Sequence, residues 1–237
     1  MANYVAGNEE EFVKLMNKKA TELGMKDTIF NNPHGLDDET KNYSTAYDMA
    51  LLASYASKNK IYTKIASTKY YQVETDKKFY SWKNRANIVH SYNKLTSAKT
   101  GYTPNAGKVL STTASNNNLN LSIFSFNYSY DYDIHEELYE YMFNMYKNYK
   151  IVDKNRFKVK YQDGLLYALE SFTYPLTDNE KDEISMKVIL NNKINHEKIG
   201  KLYIYLDNEL LHEQVVYFRK NKNIFQKAID LFTKSKK

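Results

Sequence analysis

The sequence predicts an α+β chain, an antiparallel sheet with helices followed by a small all-β domain and a basic amphipathic tail. Three observations carry this. Apolar residues recur at helical spacing in stretches bounded by capping and turn residues. Between Lys69 and Phe126 short alternating runs are separated by turn chemistry. After Lys150 the pattern becomes alternation again, until a lysine-rich end.

Over residues 8–23, Phe12, Leu15, Met16, Ala20 and Leu23 share one side of a helix that Gly24 closes. Asn31-Asn32-Pro33-His34-Gly35 is dense turn chemistry. Thr45, with Asp48 three residues on, opens a second helix through Ala56 as a capping box. Lys69–Val73 and Phe79–Trp82 read as strands, and Arg85–Lys94 connects them to a strand carrying Lys99–Tyr102. Gly107–Ala114 and Leu119–Phe126 read as an antiparallel pair around an Asn-rich turn. A helix from Asp133 to Tyr149 closes a first domain, 1–150.

In a second domain, 151–219, Phe157, Val159 and Tyr161 alternate with charged residues. So do Ile184, Met186, Val188 and Leu190, and Leu202, Ile204 and Leu206 ahead of an Asp207-Asn208 turn, as in a small β-sandwich. The tail, 220–237, sets Ile224, Phe225, Ile229 and Phe232 on one helical side among lysines. Such a helix can lie in the lipid headgroup region or pack on the β domain; the membrane is the expectation.

Composition narrows the function classes. With no cysteine, neither a disulfide framework nor a thiolate zinc site is available. The histidines, His34, His90, His135, His196 and His212, have no paired spacing, so no metal and no cofactor is expected. A net charge of +6 suits a polyanionic envelope or lipid surface. It would also suit nucleic acid, but the basic residues are dispersed and no aromatic-plus-basic motif accompanies them. No apolar run is long enough to span a bilayer. Met1 runs straight into Asn3-Tyr4-Val5-Ala6-Gly7 without a signal peptide, which implies a cytoplasmic product if the chain is made as written.

The most informative run is Lys99-Thr100-Gly101, continuing Tyr102-Thr103-Pro104-Asn105-Ala106-Gly107. Three letters alone are weak, and their company gives them weight. Upstream stand Phe12–Ala20, Glu22-Leu23-Gly24-Met25, Asn32-Pro33-His34-Gly35-Leu36 and Tyr43–Ala50. Together these runs resemble the serine-type D-alanyl-D-alanine carboxypeptidases, the low-molecular-mass penicillin-binding proteins of peptidase family S11. The resemblance implies a penicillin-binding, transpeptidase-like domain over 1–150 and a β-sandwich after it. It also implies the cell envelope, on the outer face of the membrane, as the place of work. The implied partner is a peptidoglycan stem peptide ending in D-Ala-D-Ala.

The family has three motifs in order, S-x-x-K, S-x-N and K-T-G. The match opens at Met1–Gly7, which looks like the helix just after S-x-N, so the expectation is an N-terminally truncated member without nucleophile or base. Ser57-x-x-Lys60, Ser91-x-x-Lys94, Ser91-Tyr92-Asn93 and Ser115-Asn116-Asn117 fit the letters. None has the context of a serine at a buried helix N-terminus. No complete catalytic set is therefore expected.

By resemblance, Lys99 supplies positive charge for the substrate's anionic end, Thr100 a hydroxyl for its terminal carboxylate, and Gly101 room for its backbone. Arg85 is a second candidate carboxylate contact, with a solvated arginine as the alternative. Ser97-Ala98 stands where the family has Gly-Leu or Gly-Val. His34 is expected to fix its loop and Asp48 to cap its helix. Two functional readings follow: a truncated carboxypeptidase, inactive alone or dependent on an N-terminal segment, and a non-catalytic module binding membrane or peptidoglycan. In the first, an exposed apolar patch is expected beside residues 95–126.

Overall fold

A computed structural model describes residues 1–37, 39–191 and 198–220. The expected tail, with Ile224, Phe225, Ile229 and Phe232, lies outside the described residues, as does His196. The chain divides into two units, Met1–Asn144 and Met145–Lys237.

The first unit opens with α1 (Ala2–Ala6) and α2 (Glu9–Glu22). The Asn8 side chain accepts from Glu11 N at 2.8 Å, satisfying an orphan donor, and three glutamates in the first turn face the helix dipole. Gly24, at φ +75°, takes the left-handed conformation that ends the helix. α3 (Ala46–Ala56) and α4 (Lys60–Ala66) follow, capped by Thr45 and Asn59. The hairpin β1 (Tyr70–Glu74) and β2 (Phe79–Lys83) comes next, then a single helical turn, α5 (Ile88–Ser91).

A three-stranded antiparallel sheet of β3 (Leu95–Thr103), β4 (Gly107–Asn116) and β5 (Leu119–Phe126) is the centre of this unit. The expected Asn-rich turn puts Asn117 and Asn118 at φ +48° and +64°, the left-handed pair a two-residue hairpin requires. α6 (Asp131–Met145) runs back across the sheet. Ala98, Ala114, Leu121 and Ile123 pack with α5 and with Tyr139 of α6 in one core.

That core contains a polar thread. His135, buried in α6, approaches Thr112 Oγ1 through Nδ1 at 2.8 Å and Ser125 Oγ through Nε2 at 3.0 Å. Thr112 also meets the Tyr139 hydroxyl at 2.7 Å. At its edge Glu140 accepts from Tyr92 at 2.7 Å and Lys94 at 2.6 Å, and these bonds hold its carboxyl below the usual range.

The second unit is β-rich. β6 (Lys147–Val152) pairs with β9 (Phe172–Leu176). The other strands are β7 (Lys158–Tyr161), β8 (Gly164–Tyr167), β10 (Ile184–Leu190), β11 (Lys198–Leu206) and β12 (Glu209–Lys220), in the order β10-β11-β12-β8-β7. A short α7 (Asp178–Asp182) opens with a capping box between Thr177 and Glu180. Val152 of β6 and Phe172 of β9 share a core with Leu166, Ile199, Leu202, Ile204 and Val216, so the two sheets face each other across apolar side chains.

Two expectations are corrected. The helix expected to Tyr149 stops at Met145, and Lys147–Val152 becomes β6, because Tyr149, Lys150 and Val152 find strand partners in β9. Asp48 is half of the expected capping box. Thr45 Oγ1 does accept from Asp48 N at 3.1 Å, but the Asp48 carboxylate is buried and turned elsewhere, accepting from Asp27 N at 2.9 Å and Thr28 Oγ1 at 2.7 Å.

Burial pushes the His135 imidazole down to about 4 from 6.5. Its folded pKa lies below its unfolded one, so the stability it contributes is full above pH 6.5 and is lost as pH falls towards 4. The loss is on the order of 3 kcal/mol. Urea unfolding at pH 7.5, 5.5 and 4.5 should show this decline, and His135→Gln should flatten that part of it.

Candidate functional site

Strand alternation sorts the residues of the sheet. The register pairs Ala98 with Thr112 and Thr112 with Ile123, all on the core side. It pairs Lys99 with Ser111 and Ser111 with Phe124, and Gly101 with Val109 and Val109 with Phe126. These six residues form the opposite face. There they line a cavity of about 620 Å³, closed by Met49, Leu52, Ala53 and Ala56 of α3 and by the loop from Phe30 to Ser44. On this face the Phe124 and Phe126 ring centroids sit 4.8 Å apart, and Phe126 is 41% exposed.

The loop is built by amides. Asn32 is buried; its Oδ1 accepts from Gly35 N at 2.7 Å, and its Nδ2 donates to Leu36 O and Thr40 O. Asn42 Oδ1 accepts from Asn31 N and Asn32 N. His34 Nδ1 accepts from Leu36 N at 3.1 Å, the loop-fixing role expected of it. A turn this short cannot pair its backbone groups within itself, so side-chain amides take their place.

Lys99, Thr100 and Gly101 all line the cavity, and β3, which carries them, is an outer strand of the sheet. Lys99 is exposed and donates through Nζ to the Thr100 carbonyl oxygen. Lys99 and Thr100 also border a second, smaller cavity of about 380 Å³ with Tyr62, Ile65, Ala66, Asn84 and Ala98. Ser97, at the family departure, is buried and bonded to Thr113 Oγ1 at 2.7 Å; the register slips by one residue between Leu95 and Ser97 and is regular from there through Thr103. Arg85 is exposed and lines neither cavity; its neighbour Asn84 does.

Gly101 has a reason the sequence does not disclose. A Cβ there would stand 2.7 Å from Val109 Cγ2 across the ladder, so the missing side chain accommodates the sheet itself. Gly107 closes the β3–β4 turn at φ +67°, against the Asn127 side chain.

The serines lining the larger cavity are Ser44 and Ser111. Ser44 Oγ lies 2.7 Å from Thr28 Oγ1, and among the described residues neither serine is recorded with a lysine amine as partner. Ser57 ends α3 and donates to Ser54 O at 2.8 Å, and Ser91 ends α5. The wall thus offers a cation and hydroxyls beside apolar side chains.

An outer strand bearing Lys-Thr-Gly along a cavity, in a chain with a small β unit after it, is the arrangement that the resemblance to the penicillin-binding proteins implies. Comparison with known proteins agrees. The model of the D-alanyl-D-alanine carboxypeptidase family matches residues 1–129, and that of the C-terminal domain of penicillin-binding protein 5 matches 141–235. The chain belongs to the D-alanyl-D-alanine carboxypeptidase family.

It is similar to the D-alanyl-D-alanine carboxypeptidase DacF of Bacillus subtilis, at 34% identity over 234 residues, covering 91% of this chain and 60% of that protein. To DacA of Haemophilus influenzae it is 34% identical over 124 residues, 49% of this chain and 30% of the relative. The chain therefore spans less than two thirds of the length of either. In fold it resembles penicillin-binding protein 5 of Haemophilus influenzae, with a TM-score of 0.66 at 24% identity over 93% of this chain and 68% of the other.

Gly101→Ala should destabilise the first unit by about 1–3 kcal/mol through overpacking. Val109→Ala in the same chain should recover part of that loss. Denaturant midpoints of the single and double variants measure the coupling.

Proposed function

We propose that this chain forms the substrate-binding wall of a D-alanyl-D-alanine carboxypeptidase cleft in the cell envelope. The ligand is a peptidoglycan stem peptide ending in D-Ala-D-Ala. Its backbone adds along the outer edge of β3, Lys99 faces its carboxylate, and the Thr100 hydroxyl donates to the same group. The observation that carries this reading is the shared position of Lys99 and Gly101 on the sheet face that opens into the cavity.

The polypeptide by itself binds without cleaving. Acyl transfer from D-Ala-D-Ala needs a serine oxygen deprotonated by a neighbouring lysine and an oxyanion hole built partly from that serine's own N–H. Among the described residues neither serine of the cavity is hydrogen-bonded to a lysine amine: Ser44 meets Thr28, and Lys99, opposite Ser111 in the register, donates to the Thr100 carbonyl oxygen. Loss of such a nucleophile lowers turnover on the order of a million-fold. Turnover therefore requires a further segment bearing S-x-x-K and S-x-N.

Arg85 is not assigned to the carboxylate, because it lines neither cavity. No helix among the described residues is long and apolar enough to cross a membrane.

The purified chain should form no covalent adduct with fluorescent penicillin and release no D-alanine from diacetyl-Lys-D-Ala-D-Ala. Calorimetry should still detect that peptide, with affinity reduced about tenfold in Thr100→Val. A stoichiometric penicillin adduct would refute the inactivity, and unchanged peptide affinity in the variant would refute the binding wall.

A further inference from the structure

The β1–β2 hairpin carries an aromatic row that neither the core nor the cleft uses. Tyr71 pairs with Trp82 and Val73 with Tyr80, so these four side chains share one face. Trp82 lies within 18° of parallel to Tyr71, centroids 6.0 Å apart, and within 12° of Tyr80 at 5.2 Å. Despite this mutual packing, Tyr71 is 58% and Trp82 51% exposed. On the opposite face the Tyr70 ring, itself exposed, lies 5.2 Å from that of His90, and Phe79 is exposed as well. Lys78 stands 5.2 Å from the centroid of Tyr80, and residues 69–85 hold five basic side chains against two acidic ones.

We propose that this face binds the polysaccharide of the cell wall, a strand of linked pyranose rings bearing carboxylates. The electron-rich face of an aromatic ring attracts polarised C–H groups, which a pyranose presents on one side, while its hydroxyls stay in reach of the phenol oxygens of Tyr71 and Tyr80. Rings already packed on one another lose little further freedom when a sugar stacks on them. The surplus of lysine and arginine complements the carboxylates. A lipid surface fits less well, because the one aliphatic side chain on this face, Val73, is half-buried.

The site is continuous with the cleft. Asn84, directly after β2, borders the smaller cavity together with Lys99 and Thr100. The proposal rests on the reading that the cleft takes a stem peptide, since that peptide hangs from the same polysaccharide. The hairpin would then hold the glycan while β3 holds the peptide.

Trp82 is the chain's single tryptophan, so its emission reports the site directly. Titration of the whole chain with peptide-free glycan strands of alternating N-acetylglucosamine and N-acetylmuramic acid should change that emission saturably, and added salt should weaken the response. Tyr71→Ala should lower affinity about tenfold, Tyr71→Phe should retain it, and Phe79→Ala on the opposite face should leave it unchanged. Circular dichroism confirms that each variant folds. No saturable change, or equal affinity in Tyr71→Ala, overturns the proposal, as does a stronger Tyr71-dependent response to anionic vesicles or single-stranded DNA. Diacetyl-Lys-D-Ala-D-Ala, titrated separately by calorimetry, keeps the two readings apart. Peptide binding without glycan binding overturns the hairpin site alone; glycan binding without peptide binding overturns the peptide reading and leaves the hairpin site standing.

Discussion

The parity of a β-strand governs the first unit. Successive side chains of β3, β4 and β5 point to opposite sides, and one side is committed to α5 and α6 by Ala98, Ala114, Leu121 and Ile123. Lys99 and Gly101 are thereby held on the other side, above the cavity. A slip of one residue would send Lys99 into the core and the alanines into the cleft. The slip between Leu95 and Ser97 falls before the motif, where Ser97 and Thr96 each meet Thr113 Oγ1 at 2.7 Å. The core therefore positions the cleft without touching what the cleft binds.

The two faces differ in how they tolerate polar groups. On the core face, Thr112, His135, Tyr139 and Ser125 satisfy one another in a chain of hydrogen bonds, which makes their burial affordable and their geometry specific. On the cavity face, Phe124 and Phe126 lie beside Lys99 and Ser111 with room for a ligand. Opposite them stands a loop whose shape comes from Asn32 and Asn42 and not from a packed interior. A rigid sheet facing a loop pinned by amides suits a site that must keep its outline when empty.

Much of this is legible in the sequence, and the parts that are not have a common cause. Thr45, Gly24 and Asn117-Asn118 announce their local structure because caps and turns act over three or four residues. The motif strand and its family were legible from Lys99-Thr100-Gly101 in its company. The partners of Asp48, by contrast, lie 20 and 21 residues away, and those of His135 up to 23 residues away. The conflict between Gly101 and Val109 depends on register, as does the meeting of Tyr71 with Trp82. β6 read as the end of a helix because its strand partner, β9, lies across β7 and β8 in the chain.

The amino-acid sequence by itself determined the class of fold and the family, and named the residues proposed to meet a ligand, because those rest on periodicity, local chemistry and contiguous motifs. Tertiary structure alone decided which of them share a cavity, that Arg85 stands apart from it, and which serines border it. The reason is physical. Proximity across a sheet depends on register and on the helices that clamp one of its faces, and both come from contacts between residues distant along the chain.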